Sequence, residues 1–328
     1  MGPTLNKLPA LNILAIRFMR LGDVVLLLPG LTQLKARYPE SRLTLLTDAR
    51  CAPLAEMCPS IDEVIGVDRL EMRDGPTMPA LKNMAKLIVD VQRRRFDLVI
   101  DFLSFRETNL LAWLSRAPNR LGMKRYDRAY LPFCFNLPPV PEDKSIHVAE
   151  RFQRIVDAVA PEGVASFDNR PVLVVPDDAR QWADSAIPEG PLLSLYIDAP
   201  VPERRWPEES FAGIAKFAME KLGATVVLLS GSEKNAGNLP VLSHLSIPQL
   251  AAAIARSTLL VSNDTGPMHL GPALGIPTLG LFSVGYPEHY RPRGTHSRFL
   301  RSDNIQNIRV EDVIEQVREM WEQTPLLS

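Results

Sequence analysis

The densest group of chemically capable side chains lies between residues 261 and 282, in the run VSNDTGPMHLGPALGIPTLGLF. Within six residues, between two apolar segments, this run holds a carboxylate, a hydroxyl, a glycine and an imidazole: Asp264, Thr265, Gly266 and His269. The pattern predicts a buried parallel strand over 259–262, a turn, and a helix over 267–274 that begins at a proline. Such a turn aims unpaired N–H groups and the positive end of a helix dipole at one point, which suits a phosphate or a diphosphate. The competing interpretation is a helix cap followed by a core histidine.

A second carboxylate, Asp23, follows the first predicted strand, residues 12–16, in the sequence Arg20-Leu21-Gly22-Asp23. A side chain at the carboxyl end of a parallel strand projects toward the edge where ligands bind in such sheets. The residues alone favour a simpler role, in which Asp23 caps the helix that begins at Val24. Gly22 is expected to permit a tight turn or the close approach of a ligand. Because this turn has a single glycine, it lacks the Gly-x-Gly-x-x-Gly motif of NAD enzymes.

Strands and helices alternate along most of the chain, which predicts parallel sheets covered on both faces. In the first half the predicted strands are 12–16, 42–47, 63–67 and 98–101, and the predicted helices are 24–38, 79–94, 106–115 and 146–160. Residues 161–190, rich in Pro, Asp and Gly, interrupt the pattern and are expected to form a linker. In the second half the predicted strands are 192–197, 225–230, 259–262 and 278–281, and the predicted helices are 208–221, 247–256, 267–274 and 310–323. The chain is therefore predicted to be α/β, with two Rossmann-like, doubly wound parallel-sheet domains at residues 1–165 and 166–328 that face a cleft.

Bulk composition agrees with two globular domains. The chain has 328 residues, of which 46% are hydrophobic and 23% charged, enough to bury a core in each domain. The three cysteines have no metal-ligand spacing and are expected to be reduced thiols. Residues 1–10 do not resemble a signal peptide, and no segment approaches the roughly 20 apolar residues that span a bilayer. We therefore expect a cytoplasmic protein.

Basic residues are concentrated in the first half, although the net charge of the chain is −1. Residues 1–160 carry 23 Lys and Arg against 18 Asp and Glu, whereas residues 161–328 carry 14 against 20. A basic domain would attract an anionic acceptor or the anionic inner face of a membrane. An ordinary solvated surface is the alternative, because the cations at 93–95 end a predicted helix, where positive charge is favoured anyway.

Three motifs, in one order along nearly the whole chain, resemble glycosyltransferase family 9, the ADP-heptose:lipopolysaccharide heptosyltransferases. The first is ILAIRFMRLGDVVLLLPGLTQLKARYP at residues 13–39, and the second, similar to Lys/Arg-x-Trp-Pro, is RRWP at residues 204–207. The third is Asp264-Thr265-Gly266 followed by His269, Gly271, Ala273, Gly275 and Pro277, where Gly271 replaces the usual first Ala. The resemblance implies the GT-B architecture, with the acceptor on the N-terminal domain, the donor on the C-terminal domain, and the last helix returning to the N-terminal domain.

The resemblance also implies roles for individual residues. Asp23 would be the catalytic base, with Arg20 and Gly22 beside it on the acceptor side. Arg204 would contact the donor phosphates, as a Lys does in relatives. The rest of the donor site would comprise Asp264, Thr265, Gly266 and His269, with Glu233 accepting hydrogen bonds from the ribose.

The implied reaction is the inverting transfer of a heptose, or a related sugar, from an ADP-sugar to an anionic lipopolysaccharide-core acceptor. The acceptor would be lipid-linked or an oligosaccharide, the inner face of the inner membrane would be an adjoining surface, and nucleic acid would not be a partner. The resemblance implies no cofactor, and we expect no obligatory metal because the chain has no Asp-x-Asp pair of the kind that chelates a metal-bound nucleotide sugar.

Two departures from the family pattern leave alternatives open. Residues 198–202 read Asp-Ala-Pro-Val-Pro, where relatives place small or hydroxyl residues that meet the phosphates. Prolines donate no backbone N–H, and Asp198 would repel a diphosphate. Residues 235–247 are shorter than the family's equivalent helix and strand. The donor could therefore be another nucleotide sugar, or the chain could be a nucleotide-sugar-binding subunit without turnover.

Overall fold

The structure is a computed structural model that describes residues 11–69, 77–126, 130–159, 170–233 and 239–324. The chain divides into two compact units, Met1–Asp168 and Asn169–Ser328. The domain boundary expected between residues 165 and 166 lies outside the described residues.

The first unit is built on a six-stranded parallel sheet in the order β3-β2-β1-β4-β5-β6. Its strands are β1 Asn12–Arg17, β2 Arg42–Asp48, β3 Glu63–Val67, β4 Leu98–Asp101, β5 Asn119–Lys124 and β6 Val140–Pro141. Its helices are α1 Leu21–Val25, α2 Leu28–Arg37, α3 Ala52–Glu56, α4 Thr77–Arg93, α5 Arg106–Leu114 and α6 Val148–Val159. The four strands predicted here are confirmed. The strands β5 and β6 were not predicted, because charged and proline residues interrupt their short apolar runs.

The single helix predicted over 24–38 is wrong, because two helices occupy this stretch. The first, α1, ends at Val25, and the second, α2, begins at Leu28. Pro29, in the first turn of α2, has no N–H to donate to a carbonyl four residues earlier, so one continuous helix is disfavoured. As a result Asp23 lies inside α1 rather than before it.

The helices α4 and α5 cover the same face of the first sheet. One apolar cluster joins strand side chains to both helices. It contains Leu14, Ile16, Leu46 and Val99 from the strands, and Val91, Leu111 and Ala112 from the helices. The helices α2 and α6 pack against each other, and right-handed crossovers place α2 on the opposite face of the sheet. The sheet is thus covered on both sides, as the alternation of elements predicts.

The second unit repeats the plan with a sheet in the order β12-β11-β10-β7-β8-β9. Its strands are β7 Leu192–Tyr196, β8 Thr225–Ser230, β9 Val241–Ser243, β10 Leu259–Asn263, β11 Thr278–Phe282 and β12 Arg298–Arg301. Its helices are α7 Asp177–Ala186, α8 Glu208–Lys221, α9 Ile247–Ala255, α10 Leu270–Ala273, α11 Pro287–Tyr290 and α12 Val310–Gln323. All strand pairs in both sheets are parallel, which confirms the prediction of two doubly wound sheets.

The linker predicted over 161–190 is wrong in its second part, where residues 177–186 form α7. Asp177 and Asp178 lie in the first turn, where the helix dipole favours acids. Ala179 and Ala183 are buried, and α7 packs on α9. The first part of the predicted linker, through residue 169, lies outside the described residues.

The last helix, α12, contributes to the core of the second unit. It packs against α8 and buries Val313, Val317, Met320 and Trp321. Its expected return to the N-terminal domain remains a prediction.

Candidate active site

Each sheet reverses its strand order at one point, between β1 and β4 in the first unit and between β7 and β10 in the second. The loops that follow such a pair leave in opposite directions, and ligands of doubly wound sheets bind in the resulting crevice. Asp23 follows β1, Arg204 follows β7, and the turn at residues 264–266 follows β10. The predicted site residues therefore lie at the ligand-binding edge of their own sheets.

Arg204 and Asp264 form an ion pair in the second unit, with 3.1 Å between Nη1 and Oδ2. The Asp264 side chain is 7% exposed and the Arg204 side chain 31%. Burial raises the pKa of Asp264, and the Arg204 guanidinium acts in the opposite direction. The two residues come from separate sequence motifs, so the structure joins the second and third motifs in one polar group.

Gly285, in the loop after β11, lies against the Asp264 carboxylate. A Cβ at this position would be 2.0 Å from Asp264 Oδ2, so a larger residue would displace the acid. On the same loop, the Ser283 hydroxyl donates a hydrogen bond to the carbonyl of Glu203. The loop thus holds both members of the Arg204–Asp264 pair, one directly and one through a neighbouring residue.

Asn263, at the end of β10, fixes the Arg-Trp-Pro segment to the same edge. Its Nδ2 donates to the carbonyl of Ile197 at 2.7 Å, and its Oδ1 accepts from the backbone N–H of Trp206 at 3.1 Å. The Trp206 indole is fully buried, donates to the carbonyl of Ile308 and meets Phe211 edge to face. Trp206 is therefore a packing residue between helix and sheet.

The helix predicted over 267–274 is replaced by a 3-10 turn, Gly266–His269, followed by the short helix α10. Thr265 precedes the 3-10 turn in an extended conformation, and its side chain makes no capping hydrogen bond. His269 is 6% exposed at the end of this turn. Pro267 and Pro272 lack N–H groups, so a regular helix cannot run through the segment. The helix dipole at this turn is therefore smaller than that of the regular helix predicted over 267–274.

Asp198 has protein partners, and the expectation that its carboxylate would repel a diphosphate remains a prediction. Its Oδ2 accepts hydrogen bonds from the Ser230 hydroxyl and from the Gly231 N–H, each at 2.7 Å. Burial, together with the nearby Asp198 carboxylate, raises the pKa of Tyr196 to about 12. Asp198 thus ties the end of β7 to the loop after β8, and that loop carries Glu233. Glu233 itself is exposed.

Asp23 lies in the first turn of α1 and pairs with Arg17, the last residue of β1. The Arg17 Nη2 is 2.9 Å from Asp23 Oδ1, and Nη1 donates to the carbonyl of Phe102 at 2.9 Å. The guanidinium also lies 4.7 Å from the centre of the Phe152 ring. Arg17 is 5% exposed. A buried cation thus holds the Asp23 carboxylate, and the helix-capping interpretation of Asp23 is wrong because Arg20 occupies the capping position.

Arg20 and Gly22, predicted on the acceptor side, border Asp23 along the chain. The Arg20 side chain is exposed, and its carbonyl accepts from the N–H groups of Asp23 and Val24. Gly22 is buried in α1. These residues shape the turn from β1 into α1, and their acceptor-side role remains a prediction.

Sequence reasoning missed Arg17, Asn263 and Gly285. Arg17 and Asn263 each end an apolar strand at the predicted ligand edge, and that position was the available signal. Gly285 gives no local signal, because its importance comes from Asp264, which lies in another loop.

Within the described ranges, no group of three or more His, Cys, Asp or Glu side chains is arranged to hold a metal ion. None of the helices in the described part of the chain is long and apolar enough to cross a membrane.

Comparison with known proteins places these features in context. A family model described as glycosyltransferase family 9 (heptosyltransferase) matches residues 84–317. Lipopolysaccharide heptosyltransferase 1 of Pseudomonas aeruginosa is 28% identical over 320 residues, which cover 89% of this chain and 84% of the relative. Lipopolysaccharide heptosyltransferase 2 of Escherichia coli K12 is 22% identical over 325 residues, covering 89% and 88%.

Solved structures show the same fold. The glycosyl transferase family 9 from Veillonella parvula DSM 2008 superposes with a TM-score of 0.84 at 24% identity, covering 97% of this chain and 99% of that one. The E. coli ADP-heptose lps heptosyltransferase II gives a TM-score of 0.76 at 22% identity, covering 95% and 99%.

Proposed function

We propose that this chain, which belongs to glycosyltransferase family 9, transfers a heptose from ADP-heptose to an anionic lipopolysaccharide inner-core acceptor. The transfer inverts the configuration at the anomeric carbon. Membership of the family makes the chain a glycosyltransferase. The donor sugar, the acceptor, the stereochemistry and the residue roles below belong to the proposal.

The Arg204–Asp264 pair at the reversal point of the second sheet carries the proposal. A nucleotide diphosphate needs positive charge and N–H donors where its leaving-group charge develops. Arg204 is always charged and can grip two phosphate oxygens. Its present partner, Asp264, is a carboxylate whose pKa burial raises. A diphosphate would therefore take the place of the Asp264 carboxylate beside Arg204. Burial makes the charged form of that carboxylate unfavourable.

In the proposed reaction the acceptor hydroxyl attacks the anomeric carbon of the donor. Asp23 takes the hydroxyl proton, the new carbon–oxygen bond forms, and the bond between the anomeric carbon and the phosphate oxygen breaks. The departing ADP takes the electron pair of that bond. Arg204 and the N–H groups of Thr265 and Gly266 stabilise the resulting charge, whereas the Asp264 N–H donates to the carbonyl of Leu281. Arg17 positions the Asp23 carboxylate, through the contact at 2.9 Å.

The remaining predicted donor residues would support binding. The Thr265 hydroxyl and the Gly266 backbone would contact phosphate, and His269 would support the loop from its buried position. Glu233 would accept hydrogen bonds from the ribose hydroxyls, with its loop held by Asp198 through Ser230 and Gly231. We propose that no cofactor and no obligatory metal take part, and that the acceptor is lipid-linked or an oligosaccharide.

A second candidate is a nucleotide-sugar-binding subunit without turnover. Ala199, Pro200 and Pro202 motivate it, because they replace residues that would otherwise offer hydroxyl or N–H donors to the phosphates. The hydrogen bonds from Ser230 and Gly231 hold the Asp198 carboxylate but leave its charge in place, so release of ADP decides between the two candidates.

Release of ADP from ADP-heptose, with a lipopolysaccharide-core acceptor present, tests the proposal. We expect turnover that EDTA does not abolish. Asp23→Ala should lower kcat about 100-fold to 10,000-fold, the usual range for loss of a general base. Its calorimetric donor affinity should stay close to that of the wild type. Arg204→Met should instead weaken donor binding.

Calorimetry with ADP-, UDP- and GDP-sugars distinguishes the alternatives. Binding of ADP-heptose without release of ADP would favour the binding subunit. Binding of UDP-sugars alone would show that the heptose assignment is wrong. Unchanged kcat in Asp23→Ala would remove Asp23 from the mechanism.

A further inference from the structure

Large apolar side chains are exposed on one side of the first unit. Six of them, between 40% and 77% exposed, lie on α4, on α5 or in the 3-10 turn Pro132–Cys134: Met78, Leu81, Val89, Leu110, Trp113 and Phe133. The helices α4 and α5 cover the same sheet face and contact each other. The Trp113 and Phe133 rings lie 6.1 Å apart, edge to face. We call this surface the α4–α5 face.

Exposed apolar residues of α4 form a stripe that packing within the described chain does not use. The core side of this helix presents Leu87, Ile88 and Val91 to the apolar cluster beneath it. Met78, Leu81, Ala85 and Val89 recur at helical spacing and are all exposed. A monomeric protein seldom leaves a second apolar stripe in water without a binding role.

A row of cations runs along the outer side of this stripe. Projected at 3.6 residues per turn, Lys82, Lys86 and Arg93 fall next to the stripe and away from the core. Arg106 and Arg116 are exposed at the two ends of α5. Within the described part of the chain, none of these five cations forms an ion pair. The acids of the two helices are engaged elsewhere, Asp90 with Arg94 and Glu107 with Arg69.

A recess of about 390 Å³ lies between the two helices. Its lining includes Gln92 from α4, Trp113 from α5, and the cations Arg116 and Arg120 beyond α5. Tryptophan beside arginine is typical of protein surfaces at the level of lipid headgroups, where the indole sits at the interface and the cation meets phosphate.

We propose that the α4–α5 face docks on an anionic membrane surface. The apolar side chains enter the boundary between headgroups and acyl chains, and the cations contact lipid phosphates. A second copy of the chain fits less well, because a two-fold interface would bring the same cations of the two copies close together. The inference rests on the proposed function in one respect: docking on the membrane would bring the protein to a lipid-linked acceptor.

Vesicle sedimentation with the full-length protein tests this surface. We expect binding to vesicles of phosphatidylethanolamine with about one-third phosphatidylglycerol, weakening as salt rises, and little binding to neutral phosphatidylcholine vesicles. The double substitution Lys82→Gln, Lys86→Gln should weaken the partition coefficient about 30-fold. The substitution Leu81→Asp should also weaken it. Brominated lipids should quench Trp113 fluorescence, as judged by subtraction of the Trp113→Phe variant.

The matched control removes the same charge from the second unit. Lys216 and Lys221 are exposed on α8, and Lys216→Gln, Lys221→Gln should leave vesicle binding close to wild type. Equal loss in both double variants, binding without preference for anionic lipid, or no quenching of Trp113 would overturn the proposal. So would sedimentation velocity that shows a dimer dissociated by Leu81→Asp.

The two proposals can fail separately. The α4–α5 variants should keep wild-type release of ADP with a water-soluble core oligosaccharide, because none of them is a proposed site residue. If the wild type releases no ADP but still binds anionic vesicles, the proposed function is refuted and the membrane-docking proposal is retained.

Discussion

Replacing Gly285 by alanine should damage the active site more than the fold. A Cβ there would lie 2.0 Å from Oδ2 and 3.0 Å from Cγ of Asp264. Contacts of a Cβ below 3.0 Å are essentially not found, so the carboxylate must move by about 1 Å. The backbone of Gly285 is outside the left-handed region, and alanine can therefore adopt it. The substitution acts through the clash alone.

The displaced carboxylate would disturb the ion pair that positions Arg204. Misplacement of a catalytic group by about 1 Å can cost about 100-fold in rate. We therefore expect kcat/KM for ADP release to fall about 100-fold, equivalent to about 2.7 kcal/mol of transition-state stabilisation. The measurement is steady-state kinetics per folded molecule, with the folded fraction taken from thermal unfolding.

Gly122→Ala is the matched control, because it is the same substitution with a comparable clash in the other unit. Its Cβ would lie 2.5 Å from the Phe135 ring, and its backbone is also outside the left-handed region. We expect a lower Tm with kcat/KM little changed. If Gly285→Ala keeps wild-type kcat/KM, or if Gly122→Ala loses as much, the argument that Gly285 positions Asp264 is wrong.

Three further predictions concern stability and reactivity. Burial raises the folded-state pKa of Asp264 above its ordinary 3.8, so the folded state binds its proton more tightly. The wild type should therefore lose stability relative to Asp264→Asn as the pH rises above about 4, measured by urea unfolding; a difference that is constant or reversed would contradict this. At Gly271, a Cβ would lie 2.1 Å from Thr278 Oγ1, so Gly271→Ala should cost about 1–3 kcal/mol and lower Tm by about 2–12 °C. Adding Thr278→Ala should recover part of that loss, and no recovery would locate the strain elsewhere. Burial raises the pKa of Cys51 to about 11, so iodoacetamide at about pH 8 should label it far more slowly in native than in unfolded protein; equal rates would show that the thiol is accessible.

Most inner strands could be predicted from the sequence, whereas the inner strand β5 and three of the four edge strands could not. The fourth edge strand, β3, was predicted because its run is largely apolar. The strands β1, β4, β7 and β10 are continuous apolar runs, because helices cover both their faces. The edge strands β6, β9 and β12 are short and partly exposed, so their pattern lacks that signal. The helix α7 was missed because acids and small residues, which a linker also contains, fill its sequence.

The candidate site could be predicted where one motif holds all of its parts, and not where distant loops meet. The residues from Asp264 to His269 are adjacent in sequence, so their common location follows directly. The pairing of Arg17 with Asp23 also lies within one motif, but its geometry depends on the carbonyl of Phe102, the residue after β4, far along the chain. The partners of Asp198 come from the end of β8 and the residue after it. Such contacts depend on tertiary structure, which local pattern does not contain.

The identical strand order of the two sheets has a consequence for how such a protein can diversify. Since both halves present an equivalent crevice, the topology assigns neither of them to one substrate. Substrate specificity instead depends on a few side chains in the loops that follow the strands, while the strands themselves stay the same. Exchanging those segments between relatives should therefore alter which sugar carrier or which acceptor is accepted without rebuilding either core.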